Sequence, residues 1–302
     1  MSTSAPIRIW HAGADMVGES PLWDAAANAV WWVDIAGRAI RRLDLATSEV
    51  TSIKTSFMPG AVALDGEGDI VVAGGTGWYR LADDASFELL APLPGSPTGM
   101  RMNDGVVDPA GRFWTGTVPT QPGKTPCGKL YRLDEAGAVE VLDGLGTQNG
   151  AAVSPDGATF YLADSHPDVR TIWAFDFDVT RGTLANRRVF HRPARGRPDG
   201  AAVDTDGCYW FAAIDAGLIV RLDPQGHEIG AIKLPVSRPT NLAFCGETLS
   251  TLVITSMSMG TDGEKWAGSL FAVEPGVKGW PQPQATSLPV VSSLEPAKLK
   301  TG

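Results

Sequence analysis

Six positions recur at one fixed offset from a turn and carry side chains suited to chemistry: Glu19, Gly60, Asn103, Asn149, Asp199 and Asn241. Each stands five residues before a turn marker, in order Asp24, Asp65, Asp108, Ser154, Asp204 and Gly246. Five of the six are carboxylates or carboxamides, and the remaining one is glycine. If the fold gathers them, the carboxylates of Glu19 and Asp199 repel each other unless a cation lies between them. Donors that are all oxygen suit a hard divalent ion such as Ca²⁺, Mg²⁺ or Mn²⁺. Glu19 is a poor turn former and precedes Ser-Pro, an extended context, so a local backbone role explains it badly. Asn241, preceded by Pro-Thr, reads instead as a residue that opens a strand through its turn geometry.

The elements that must position these residues form a repeat. Glu19-SPLW, Gly60-AVAL, Asn103-DGVV, Asn149-GAAV, Asp199-GAAV and Asn241-LAFC each lead through a turn into an aromatic or β-branched strand. Successive copies start about 41 to 50 residues apart, the length of one four-stranded blade. The strings Asp-Pro-Ala-Gly, Ser-Pro-Asp-Gly and Asp-Thr-Asp-Gly are turn chemistry. Third strands such as Lys129-LYRLDE and Leu218-IVRLDP alternate apolar and polar residues, as strands packed between stacked sheets do. The pattern predicts an all-β fold, a six-bladed β-propeller with a central metal site, occupying residues 1–302 as one domain. A strand at about 7–11 is placed as the outer strand of the last blade, and 280–302 reads as an irregular tail. The first strand of every blade lines the axis, so the six positions meet at one mouth of the channel.

Composition narrows the function classes. Hydrophobic residues make up 43% and charged residues 20%, enough to bury a large core. A formal charge of −9 argues against nucleic acid and against anionic membranes as partners. No apolar run long enough to span a bilayer and no secretory signal is visible. Cys127, Cys208 and Cys245 are an odd, scattered set, which points to a reducing, cytoplasmic setting. The expected assembly is a monomer.

Other chemistries find little support. There is no G-x-S-x-G elbow, since Gly95-Ser-Pro-Thr-Gly has the wrong spacing. No histidines are paired at metal spacing, and His166 in Asp164-Ser-His-Pro-Asp reads as a solvated loop residue near the mouth. Gly74-Gly75-Thr-Gly77 lacks the Lys-Ser/Thr of a phosphate loop. The tryptophans fall at strand positions and read as core between blades. Arg192, Arg195 and Arg197 read as a solvated basic loop.

Four motifs in order carry a resemblance: Gly18-Glu-Ser-Pro-Leu-Trp, Arg101-Met-Asn-Asp-Gly with Asp108-Pro-Ala-Gly-Arg, Asn149-Gly-Ala-Ala-Val-Ser-Pro-Asp-Gly, and Pro198-Asp-Gly-Ala-Ala-Val-Asp. Together they resemble the gluconolactonase family, which includes senescence marker protein 30 (regucalcin) and luciferin-regenerating enzyme. The resemblance covers roughly residues 15 to 275 and implies a propeller that hydrolyses sugar lactones with one axial divalent ion, variously Ca, Zn, Mn, Mg or Fe. It implies Glu19, Asn149 and Asp199 as metal ligands, and Arg101 and Asn103 as substrate contacts. The expected substrate is a small sugar-acid lactone, with Asp199 as general base. The chain departs from the family at Thr115-Gly-Thr-Val118 and in the Pro-rich loop 119–126, which helps set substrate fit in relatives. Two other classes stay open: a phosphotriesterase-like hydrolase on the same metal, and a non-enzymatic binding propeller with a structural ion.

Overall fold

The computed structural model describes residues 6–95, 98–121 and 126–290. Six four-stranded antiparallel sheets form six blades, I to VI, in a β-propeller. Their inner strands are Gly18–Asp24, Pro59–Leu64, Met100–Val107, Gln148–Val153, Arg197–Val203 and Pro239–Cys245. The N-terminal strand Arg8–His11 pairs antiparallel with Leu270–Val273, the last strand of blade VI, so that blade holds both ends of the propeller sequence. Residues 122–125 of the Pro-rich loop and 291–302 of the tail lie outside the described residues. Among the described residues no helix is long and apolar enough to cross a membrane.

The core is distributed over the blade interfaces. Six apolar clusters correspond to the six junctions of the ring. Trp32 of blade I packs with Ala243 and Val253 of blade VI, and Trp78 of blade II with Met102 and Tyr131 of blade III. Trp32, Trp78 and Trp114 are fully buried, as core residues between blades must be. Each such ring buries about 150–250 Å² and dominates its junction.

The turn markers are tied to this core. Asp108 Oδ1 accepts the backbone N–H groups of Ala110 and Arg112, while Oδ2 accepts Trp114 Nε1 at 2.7 Å and Arg112 Nε at 2.7 Å. Asp204 does the same for Asp206, Cys208, Trp210 and Arg221. One carboxylate thus fixes the turn, the indole and an arginine, which explains why Asp heads so many of these turns.

The segment after blade VI lacks regular strands but is held by contacts across the face opposite the ring. Trp280 N–H donates to Val203 O, Ala285 N–H to Leu64 O and Ser287 N–H to Gly111 O. Gln282 and Pro283 line a small cavity under the ring together with Ser20, Asp104 and Asn241. The strap therefore closes the lower end of the channel. Gly111 has φ +79°, and a Cβ there would sit 2.1 Å from Thr286 Oγ1. Gly111→Ala is expected to cost about 1–2 kcal/mol from the left-handed backbone alone, and to displace the strap as well. A thermal melt should show a Tm lower by several degrees, with part of the loss recovered in Gly111→Ala/Thr286→Ala. An unchanged Tm would mean that the strap is not held at this point.

Candidate metal and hydrolytic site

Every inner strand is irregular at the same place. Register shifts fall between Glu19 and Leu22, Pro59 and Ala61, Met102 and Gly105, Asn149 and Ala152, Pro198 and Ala201, and Pro239 and Leu242. A bulge adds a residue and breaks the strict alternation of side chains. Two consecutive residues can then face the axis where a regular strand would present one. Glu19, Asn103, Asn149, Asp199 and Asn241 are all buried here. Gly60 fills the remaining place because a Cβ would lie 2.6 Å from the carbonyl of Met102, so blade III occupies that space with backbone.

The bulge in blade III also brings in a carboxylate that the fixed offset did not pick out, Asp104. It is buried, and its Oδ1 accepts Asn241 Nδ2 at 3.0 Å while Oδ2 accepts the Ala151 N–H at 3.2 Å. The same Asn241 amide donates to Glu19 Oε2 at 2.8 Å, and its Oδ1 accepts the Leu242 N–H. The reading of Asn241 as a strand-opening residue is therefore corrected: it is a neutral wedge between two buried carboxylates. Gly200 makes room for it, since a Cβ there would overlap the Asn241 side chain.

Asn103 and Asn149 form a second chain of contacts. Asn103 Nδ2 donates to Asn149 Oδ1 and to Gln148 O, both at 2.7 Å, and Arg101 Nη1 donates to Asn103 Oδ1 at 2.7 Å. Asn149 Nδ2 donates to Ser165 Oγ, whose hydroxyl bonds Pro198 O. The orientation of the Asn149 amide is thereby fixed from both ends. Ser165, inside the string already noted around His166, had no signal in the sequence that tied it to Asn149. His166 itself faces Asp168 through Nδ1 and makes no hydrogen bond to the ring.

Asp199 differs from the others. It is 5% exposed, yet no hydrogen bond reaches its carboxylate among the described residues. Burial and then the negative charge of Asp104 push its pKa up to about 8, against the opposing pull of Arg197 and Arg238. Burial raises Asp104 to about 6. Glu19 is raised well above the ordinary range by burial and by its two acidic neighbours. Three buried carboxylates that resist ionisation together mark a place where positive charge is wanted.

The donor set can be tested against a cation. Among the described residues no three His, Cys, Asp or Glu side chains could hold a metal by themselves. Asp104 is accounted for by Asn241 and Ala151. The ring oxygens without a protein hydrogen bond among the described residues are those of Asp199 and Glu19 Oε1, and Asn149 Oδ1 keeps one lone pair beside its bond from Asn103. Two carboxylates and a carboxamide, all oxygen, fit a hard divalent cation with charge neutralisation.

The chain is similar to known proteins. The family model described as SMP-30/Gluconolactonase/LRE-like region matches residues 17–258. A 6-deoxy-6-sulfogluconolactonase from Pseudomonas putida is 38% identical over 277 residues, covering 89% of this chain and 94% of the relative. Regucalcin from Gallus gallus is 35% identical over 293 residues, covering 91% and 97%. Among solved structures, a calcium-binding regucalcin from Agrobacterium tumefaciens superposes with a TM-score of 0.88 at 26% identity, covering 93% of this chain and 97% of that one.

Proposed function

This chain belongs to the SMP-30/gluconolactonase/LRE-like family, and from that premise we propose that it hydrolyses a sugar-acid lactone to the aldonic acid. The observation that carries the reading is Asp199: a buried carboxylate of the ring that no hydrogen bond reaches among the described residues, with a pKa pushed up to about 8 in the cation-free site by burial and by Asp104. The relative from Pseudomonas putida, by its name a lactonase, supports the substrate class.

Hydrolysis of a lactone requires water to lose a proton as its oxygen bonds the carbonyl carbon. The ring C–O bond then breaks, and the ring oxygen leaves as a hydroxyl. Asp199 takes the proton from the attacking water and returns it to the departing oxygen, so no net proton is consumed before the acid ionises. The chemistry that a divalent cation supplies when held by Glu19, Asn149 and Asp199 is Lewis-acid polarisation of the lactone carbonyl. Arg101 directs Nη1 to Asn103 Oδ1 and Met102 O, which leaves the rest of its planar fork for substrate oxygens. Asn103, held by Arg101 on one side and Asn149 on the other, positions the substrate above the base. Gln282 and Pro283 of the strap line the space beneath the ring, on the side away from the rim.

Acid release from a panel of fresh aldonolactones, corrected for spontaneous opening, tests this. The expected result is acceleration that collapses with a chelator and returns with one divalent ion. Absence of acceleration for every lactone would leave a binding propeller. Faster turnover of paraoxon than of any lactone would favour a phosphotriesterase.

A further inference from the structure

The rim above the ring carries charge beyond the Arg101 fork that the lactone reaction uses. Arg101 and Arg197 occupy the same register, two residues before Asn103 and Asp199 in blades III and V, and Arg238 stands three residues before Asn241 in blade VI. At about 3.3 Å per strand residue, the first two leave their strands roughly 6.6 Å above the ring. The structure corrects the reading of Arg197 as a solvated loop residue: its side chain is 23% exposed and opens the inner strand of blade V.

With Asp199, on which Arg197 and Arg238 also pull, committed to the cation of the proposed site, the partners that these arginines keep at the rim leave positive charge over. Arg197 Nε donates to Asp215 Oδ2 at 2.7 Å, and Arg238 Nε lies 3.1 Å from Asp215 Oδ1. The Arg238 Nε–H is not aligned on that oxygen and has no other hydrogen-bond partner among the described residues. Two guanidiniums therefore share one carboxylate. Their remaining bonds go to neutral carbonyls, Ser165 O from Arg197 and Met259 O from Arg238. Arg101 likewise bonds only neutral oxygens. An open groove lined by Pro167, Arg170, Gly196, Arg197 and Asp215 continues from this cluster. In a chain with a formal charge of −9, a half-buried cationic sector at the mouth of the site needs a reason.

Resting on the lactonase reading, we propose that the substrate is a lactone bearing a second, permanently ionised oxyanion at the end remote from its carbonyl, held at the rim by Arg197 and Arg238. Planar guanidinium forks bind sulfonate, phosphate and carboxylate oxygens in the same way. The carbonyl lies over Asp199 while the far end of the carbon chain reaches the rim.

The test compares kcat/KM for neutral gluconolactone with that for its counterparts carrying a 6-sulfonate, a 6-phosphate or a 6-carboxylate. At low ionic strength at least one anionic lactone is expected to exceed the neutral one tenfold, and the three arms identify which oxyanion. That ratio should fall about tenfold in Arg197→Gln and rise in Asp215→Asn, which frees both guanidiniums. Asp215 has φ +71°, a conformation Asn accepts, and a folding defect would not move the ratio in opposite directions. Turnover of gluconolactone with no anionic preference, or a ratio that neither variant moves, overturns the inference and leaves the lactonase reading standing. Turnover of no lactone at all overturns both.

Discussion

Asp199→Asn is expected to lower kcat/KM for an aldonolactone about a thousandfold, within the range found for removing a general base. The substitution keeps the size and shape of the side chain, and it breaks no hydrogen bond among the described residues, because none of these reaches the Asp199 carboxylate. It does remove a charge that burial and Asp104 both oppose, since those two causes push the pKa up to about 8. The cation-free variant should therefore melt at the same temperature as the parent or higher, while its activity is lost. That combination separates a chemical role from a structural one: a side chain kept for stability would show the reverse. Retention of kcat/KM within tenfold of the parent would remove Asp199 from the chemistry. Asn103→Ala provides the contrast. It leaves Arg101 without its side-chain acceptor and Asn149 without its donor, so its loss of activity should come with a lower Tm.

The propeller was legible because its period is written in the turns. Asp108 and Asp204 head turns whose carboxylates also hold an indole and an arginine, so the same residue types recur at the same offset in several blades. The ring was legible for a related reason, as one offset from each turn picked out Glu19, Asn103, Asn149, Asp199 and Asn241. Alternation of side chains along a strand then hid Asp104, because a regular strand would turn it away from the axis. Only the bulge between Met102 and Gly105 makes both members of Asn103-Asp104 axial, and bulges leave no single-residue signature. The role of Asn241 was hidden differently. Its partners Glu19 and Asp104 are 222 and 137 residues away, and no local pattern reports contacts closed by the ring itself. Arg197 was misread because two neighbouring arginines made it look like part of a loop, whereas its pairing with Asp215 is set by the strand that follows. The strap was missed for want of periodicity: its hold comes from backbone N–H groups at Trp280, Ala285 and Ser287, to which any sequence contributes equally.

Removal of the divalent cation proposed for the ring is expected to destabilise the protein more at pH 8 than at pH 5. The sign follows from the buried carboxylates. Asp104 is raised to about 6, Asp199 to about 8 and Glu19 well above its ordinary range, whereas all three ionise near pH 4 in the unfolded chain. Between those limits the cation-free folded protein holds protons that the unfolded chain has released. Its stability therefore falls as pH rises from about 4 towards 8. A divalent cation between Glu19 and Asp199 favours their ionised forms and cancels that fall, so the two melting curves diverge with pH. At a concentration about one hundred times Kd, binding contributes roughly 2.7 kcal/mol, which for a chain of this size is about 4 °C in Tm. The difference at pH 5 should be less than half of that. Titration calorimetry in two buffers of different ionisation enthalpy should also show net proton release on binding at pH 7, because the cation displaces protons from the same oxygens. A cation-free Tm that rises between pH 5 and 8, or cation binding without proton release, would mean that these carboxylates are already ionised and held by something other than the ion. The ring would then be a polar plug of the channel, with Asn241 its centre, and the lactone chemistry would have to lie elsewhere.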